Sequence, residues 1–229
     1  MENGKYKYEI HCHTKETSNC GKTGAAQLVR LYKSMGYDGV VITDHYSRMT
    51  FKEWNAFTVK KHIEKFFKGY YAAKEAAGED FTVLLGMELR GWCSPIDYLV
   101  YGVTEDFIRN SPNLLFKYAK RFYKMAQKNH FLVIAPHPYR MSPFLPCKKA
   151  IDGVQIVNGK APDEKNEKGA LWAKKNGFKI LTYGSDFHRP THKKFCAILT
   201  NEPIKSNDDL IRILKSGEYE TARRIKEQI

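Results

Sequence analysis

The sequence predicts an α/β barrel of seven or eight strands, and three observations predict it. Short β-rich apolar runs alternate with helical patterns from one end of the chain to the other. Most of these runs are unbroken rather than alternating, as strands buried on both faces of a parallel sheet must be. Histidines and acids fall repeatedly at the C-terminal ends of the runs, which in a parallel barrel all open onto one face. The 229 residues suit one such barrel, with residues 1–229 as a single domain.

Taken in order, the first strand is Tyr6–Cys12, followed by a helix over 24–35. Thr23 is the expected N-cap of that helix and Gly36 its stop. Gly39–Thr43 is the second strand. A long helix over 51–77 carries Trp54 and Phe57, and then Ile63, Phe66, Phe67, Tyr70 and Tyr71 at the spacing of one buried face. Lys60, Lys61, Lys65 and Lys68 take its remaining surface, and burial of the rings argues against base stacking there. Strands Phe81–Met87 and Tyr98–Val103 follow with no helix between them, then a helix over 112–129 and strand Phe131–Ala135. Strand Gly153–Val157 leads to a helix over 163–176, with Asp163 as its expected cap and Asn176-Gly177 as its end. Strands Phe178–Tyr183 and Phe195–Thr200 and a helix over 207–216 complete the pattern.

Composition narrows the function. Lys+Arg 38 against Asp+Glu 25 gives a net charge of +13, which fits nucleic acid, a phosphorylated small molecule or merely a basic surface. No apolar run reaches the roughly 18 residues of a membrane span. The start MENGKYKYEIHCH lacks the apolar core of a signal peptide. Five cysteines, Cys12, Cys20, Cys93, Cys147 and Cys196, are widely spaced with no CxxC pair. A zinc ribbon is excluded, a disulfide framework is not expected, and a cytoplasmic location is.

The chemistry lies in where the polar residues fall. His11 and His13 end the first strand in EIHCHT, Asp44 and His45 follow the second in VVITDH, and Glu88 ends the third in LLGMEL. His137 follows the fifth in VIAPHP, and Asp186 and His188 follow the seventh in TYGSDFH. Residues i and i+2 on a strand share a face, so each HxH or DxH pair points one way. One such histidine reads equally well as a hydrogen-bonded structural group, but a set spread over five strand ends reads as a metal site. Nitrogen and oxygen donors without a thiolate cluster suit zinc, manganese or iron. His62 and His130 fall outside this placement and read as structural or exposed, and His192 stays undecided.

EIHCHT, VVITDH, GMEL, APHP and GSDFH, in this order over residues 8–188, resemble the motifs of the polymerase and histidinol phosphatase (PHP) superfamily. The resemblance implies a distorted seven-stranded, TIM-like (β/α)7 barrel holding two or three divalent metal ions and hydrolysing phosphoesters. It implies that His11, His13, Glu88 and Asp186 hold one metal, that Glu88 bridges to a second also held by His137, and that His45 and His188 belong to a third. Two departures stand out. Asn19 occupies the position of a further ligand after the second histidine, with Cys20 beside it, and Thr104 aligns with a ligand after the fourth strand.

Two metals about 3.5–4 Å apart can share a hydroxide and polarise a phosphoryl group. Glu88, Asp186 and His188 are the expected catalytic residues, His188 as a proton donor to the leaving group; Asp44 reads as a partner that orients an imidazole. Arg90, Arg140 and Arg189 follow ligands by one to three residues and suit bidentate phosphate contacts, Arg140 first. The expected substrate is a small phosphomonoester, histidinol phosphate among the possibilities. The alternatives are an amidohydrolase-type hydrolase and a nuclease or nucleic-acid-binding domain.

Overall fold

The computed structural model describes residues 5–51, 58–140 and 143–225. In chain order the elements are β1 (Tyr6–Cys12), α1 (Ala25–Ser34), β2 (Gly39–Ile42), β3 (His45–Tyr46), α2 (Val59–Ala77), β4 (Thr82–Arg90), β5 (Asp97–Tyr101), α3 (Glu105–Arg109), α4 (Ala119–Lys128), β6 (Leu132–Ala135), β7 (Gly153–Asn158), α5 (Asp163–Lys175), β8 (Ile180–Gly184), β9 (Lys194–Thr200), α6 (Asn207–Ser216) and β10 (Tyr219–Ile225). The sheet runs β10-β9-β1-β2-β4-β5-β6-β7-β8, with β3 beside β4. A parallel bridge between Cys12 and Phe187, just beyond β8, brings the far edge back to β1. His13 N donates to Phe187 O at 3.0 Å there, so the wall is nearly closed into a barrel. β9 and β10 pair outward from the first half of β1.

The expectation of a parallel barrel fails at two strands: β9 pairs antiparallel with β1, and β5 is reversed within the wall. β5 is antiparallel to both neighbours. Residues 91–96 are all that separate β4 from β5, too few for the crossover of a dozen or more residues that a parallel connection needs. The reversed strand presents its first residue, Asp97, to the face where the other strands present their last.

α1 buries Ala25, Leu28, Val29 and Tyr32, one stripe at helical spacing. Its expected cap is replaced: Gly24 is the N-cap, and the Glu16 carboxylate accepts from Ala25 N at 3.1 Å. The side chain of Thr23 is buried without a partner. The long aromatic helix begins at Val59; Phe51 lies outside it, fully buried, and Trp54 and Phe57 fall outside the described residues. Ile63, Phe66 and Phe67 are buried as expected, whereas Tyr71 is exposed. The 112–129 helix resolves into a 3-10 turn and α4. Asp163 is the first residue of α5 rather than its cap, and pairs with Lys194 and Arg223.

α6 determines which end of the barrel stays open. Its Leu210, Ile213 and Leu214 pack with Tyr8, Ile10, Val41, Leu84 and Leu132, which belong to the early parts of the parallel strands and the residues just inside them. The N-terminal end is thereby plugged with apolar side chains. No described helix is long and apolar enough to cross a membrane.

Candidate metal centre

At the open end, the predicted metal-type side chains of five strand ends converge. His11 and His13 bring their Nε2 atoms to 3.2 Å from each other. Glu88 Oε2 lies 3.3 Å from His13 Nε2 and 2.8 Å from His45 Nδ1, while Oε1 lies 3.1 Å from His137 Nε2. Asp186 Oδ1 lies 3.3 Å from His13 Nε2 and 3.2 Å from His188 Nδ1. Ligand-type atoms group within 4.8 Å of one another in three sets: His11, His13 and Glu88; Glu88, Asp97 and His137; His13, His45 and His188. Glu88 belongs to two of them, because a carboxylate in mid-sheet has one oxygen for each side.

Charge at this centre is poorly compensated by protein alone. Burial alone would raise the Glu88 and Asp186 carboxyls, but imidazoles hold both well below their usual range, His45 and His11 foremost at Glu88 and His11, His13 and His188 at Asp186. Burial pushes His13 down, and repulsion from His188 and His45 adds to it, so its imidazole is held neutral. Glu88 Oε2 and Asp186 Oδ1 are buried yet accept no hydrogen bond. Orphaned carboxylate oxygens beside bare imidazole nitrogens are what a divalent cation would satisfy, so the residues fit metal ions.

Further side chains orient these candidate ligands. Gln155 Oε1 lies 3.1 Å from His11 Nδ1; as a pure acceptor it fixes the proton on Nδ1 and leaves Nε2 facing inward. Asn158 Nδ2 donates to Gln155 Oε1 at 2.9 Å and to Asp186 Oδ2 at 3.2 Å. The backbone of Asp186 has φ +53, a left-handed conformation uncommon outside glycine, which turns its carboxylate into the cluster. Below them Glu9, fully buried, accepts from His11 N at 2.8 Å, Ser185 N at 3.0 Å and Tyr32 OH at 2.9 Å, and also from Ser185 Oγ. It thus ties the ligand ends of β1 and β8 together. Asp44 does not orient an imidazole as expected. Its carboxylate accepts from Thr14 N, Thr14 Oγ1 and Ser18 Oγ at 2.6–2.7 Å, fixing the turn after β1. Gly69 of α2 is packed against that knot, where a Cβ would stand 2.0 Å from Thr14 Oγ1 and 2.4 Å from Asp44 Oδ2.

The three arginines separate. Arg140 lies 3.2 Å from His137 Nε2 and 3.6 Å from Asp186, at the mouth of the site. Arg90 also lines the mouth, but its guanidinium is engaged with Asp97 at 2.5 and 2.6 Å. Arg189 is exposed, away from the cavity lining. Lys160, which sequence reasoning passed over, stands where Arg189 is expected: its Nζ lies 3.3 Å from His188 Nε2. Cys20, His45, Ser47, Arg90, Arg140 and Lys160 line a cavity of about 170 Å³ here.

Asp97 was missed for a physical reason. The sequence pattern points only to C-terminal strand ends, whereas reversed β5 offers its N-terminal end beside Glu88 and His137. Thr104 lies beyond the other end of β5, where its side chain caps α3 through Phe107 N. Asn19 also turns away, donating to Met49 O at 2.7 Å and accepting from Lys65. His192 is held by Lys194 O at 2.8 Å against Phe187 and Phe195, outside the cluster. His62 packs on Phe51, and His130 is exposed, with φ 59.

No family model and no curated protein shares enough sequence with the chain to match it. Solved structures do match in fold. A two-domain protein from Bacteroides vulgatus, containing a predicted PHP-like metal-dependent phosphoesterase, is 15% identical with TM-score 0.69 over 96% of this chain and 66% of that one. PsfC from Pseudomonas syringae is 14% identical with TM-score 0.66, over 98% and 93%. The lesion-specific endonuclease PfuEndoQ from Pyrococcus furiosus is 14% identical with TM-score 0.58, over 96% and 57%. The chain thus spans under two thirds of the first and third of these proteins and nearly all of the second. With its motif residues gathered at the open end, this chain has the barrel fold of the PHP-like metal-dependent phosphoesterases.

Proposed function

We propose that this chain is a metal-dependent hydrolase of small phosphomonoesters, histidinol phosphate being one substrate to assay. The observation that carries the reading is the convergence of His11, His13, Glu88, His137 and Asp186 around buried carboxylate oxygens that no hydrogen bond satisfies. Divalent ions bound there, two or three in number and of the zinc, manganese or iron class, supply water activation and polarise phosphoryl oxygens. Arg140 and Lys160 neutralise the phosphoryl oxygens at the mouth, and Arg90 joins them if Asp97 turns to a metal. His188, its Nδ1 held by Asp186 O at 2.7 Å and its pKa raised to about 9, is placed to protonate a leaving alkoxide. The cavity of about 170 Å³ is below the ~300–1,000 Å³ of pockets for drug-sized ligands, which favours a small ester.

A second reading, cleavage of a nucleic-acid phosphodiester, is favoured by a groove of about 430 Å³ that holds exposed Phe116 and Tyr118 beside Trp92. The rings of Trp92 and Phe116 stand 5.3 Å apart, a ledge on which bases could stack. The test supplies zinc, manganese or iron and compares an aryl phosphomonoester, an aryl phosphodiester, an oligonucleotide and an amide. Monoester turnover abolished by His11→Ala and by Asp186→Asn supports the first reading. Oligonucleotide cleavage without monoester turnover transfers the chain to the second, and amide hydrolysis alone defeats both.

A further inference from the structure

We propose that the groove between α2 and the turn after β1 is an anion subsite, which holds a phosphate group of the substrate other than the one hydrolysed. The inference rests on the phosphoesterase reading above and adds a second recognition point to it. The groove encloses about 700 Å³, within the ~300–1,000 Å³ of ligand sites, and adjoins the metal cavity. Asn19 and Thr50 line both spaces, so one molecule can occupy the two. Lys65 marks the boundary: its Nζ donates to Asn19 Oδ1 at 3.1 Å and to Thr50 O at 3.3 Å. Hydrogen bonds lock α2 to the turn, so the groove is formed before any ligand arrives. Thr17 Oγ1 lies 3.1 Å from the carbonyls of Lys65 and Phe66 and accepts from Gly69 N at 3.1 Å.

The helical period makes this lining cationic. Burial of Ile63, Phe66 and Phe67 leaves Lys61, Lys65 and Lys68 in the groove wall at i, i+4 and i+7. At about 1.5 Å per residue the stripe runs roughly 10 Å along the helix. Like charges at this spacing repel one another, and an anion laid along them relieves the repulsion. Glu16 and Glu64 are the acids of the lining, and both are engaged elsewhere. Glu16 accepts from Ala25 N at 3.1 Å at the start of α1, and Glu64 pairs with Arg109. Lys61 and Lys68 pair with no acid among the described residues. Phe66 and Phe67 are buried, so recognition on this face is by charge rather than by stacking, which suits phosphate.

Calorimetric titration of the zinc-loaded full chain tests this with ligands that resist hydrolysis: an alkylphosphonate, the matching alkane diphosphonate, and a phosphorothioate oligothymidylate. The expected result is a diphosphonate bound about tenfold or more tighter than the monophosphonate, since a charged hydrogen bond is worth at least that much. The double variant Lys61→Gln with Lys68→Gln loses this preference, while its monophosphonate affinity and its turnover of an aryl phosphate stay unchanged. Lys61→Arg with Lys68→Arg keeps the preference. So does Lys174→Gln with Lys175→Gln, which removes the same charge from exposed positions on α5. A lysine-dependent preference for the oligothymidylate instead of the diphosphonate also supports the subsite, and identifies its phosphate as a nucleic-acid backbone. Equal affinity for all three ligands, or a preference that survives loss of Lys61 and Lys68, overturns the subsite and leaves the phosphoesterase reading standing. A preference lost equally in the α5 variant overturns it as well, as an effect of net charge. A zinc-loaded chain that binds no phosphonate and turns over no phosphate ester overturns the phosphoesterase reading and this inference with it.

Discussion

Gly184, the last residue of β8, offers the sharpest perturbation of the site by way of packing. A Cβ there would stand 2.2 Å from Gln155 Nε2 and 2.6 Å from His11 Cβ, against 3.4–4 Å for an ordinary contact. Gly184→Ala therefore has to displace the Gln155 amide, His11 or both by about 1 Å. Overpacking of this kind costs about 1–3 kcal/mol. The consequence for the site is more specific. Gln155 Oε1 accepts from His11 Nδ1 at 3.1 Å, and that bond keeps His11 Nε2 facing Glu88 and Asp186. Loss of such an outer partner lowers metal affinity by about 10–100-fold. The assay pairs urea unfolding of the metal-free chain with a competitive zinc titration. Gly177→Ala is the control: its φ of +73 strains an alanine, yet nothing lies within 4 Å of its Cβ. Gly177→Ala should cost stability and leave zinc affinity alone. Zinc affinity equal to wild type in Gly184→Ala, or equally weakened in both variants, would refute the claim that these outer partners set the ligands.

Arg140→Ala and Lys160→Ala should each weaken inorganic phosphate binding about 10–150-fold, as loss of a charged hydrogen bond worth ~1.5–3 kcal/mol requires, with zinc affinity little changed. Arg189→Ala, altering an exposed side chain away from the cavity, should leave both unchanged in the same calorimetric titrations. Burial raises the Glu9 carboxyl from 4.5 to about 7, so the folded chain holds a proton that the unfolded chain releases in that window. Stability should then fall by about 3 kcal/mol as pH rises from about 4.5 to 7, and Glu9→Gln should flatten the slope. Urea midpoints across that range check it, and a wild-type profile without the slope sinks it. Chelating metal from a chain held at about 100 times its dissociation constant should cost about 2.7 kcal/mol. At about 2–4 °C per kcal/mol for a domain of this size, the melting temperature should drop about 5–10 °C, and no drop means that metal does not bind the folded state.

Much of this protein was legible in the chain alone, because its strands are buried on both faces and so read as short apolar runs. His11, His13, His45, Glu88, His137, Asp186 and His188 were legible because each sits at or just after such a run, where a parallel strand must deliver it to the open end. What pattern could not decide was anything set by a reversal of direction or by contact across the barrel. β5 runs backward because six residues cannot carry a parallel crossover, and only that reversal brings Asp97 to Glu88 and His137. Arg90 is engaged by Asp97 and Arg189 stands clear, while Lys160 reaches His188 from the turn after β7. Glu9, Gln155 and Asn158 occupy ordinary strand positions, and their roles appear only when β1, β7 and β8 close on one another. The sequence by itself determined which side chains the strand ends carry, through local periodicity. The tertiary structure alone decided which of them meet, because strand direction and barrel closure depend on contacts between residues far apart in the chain.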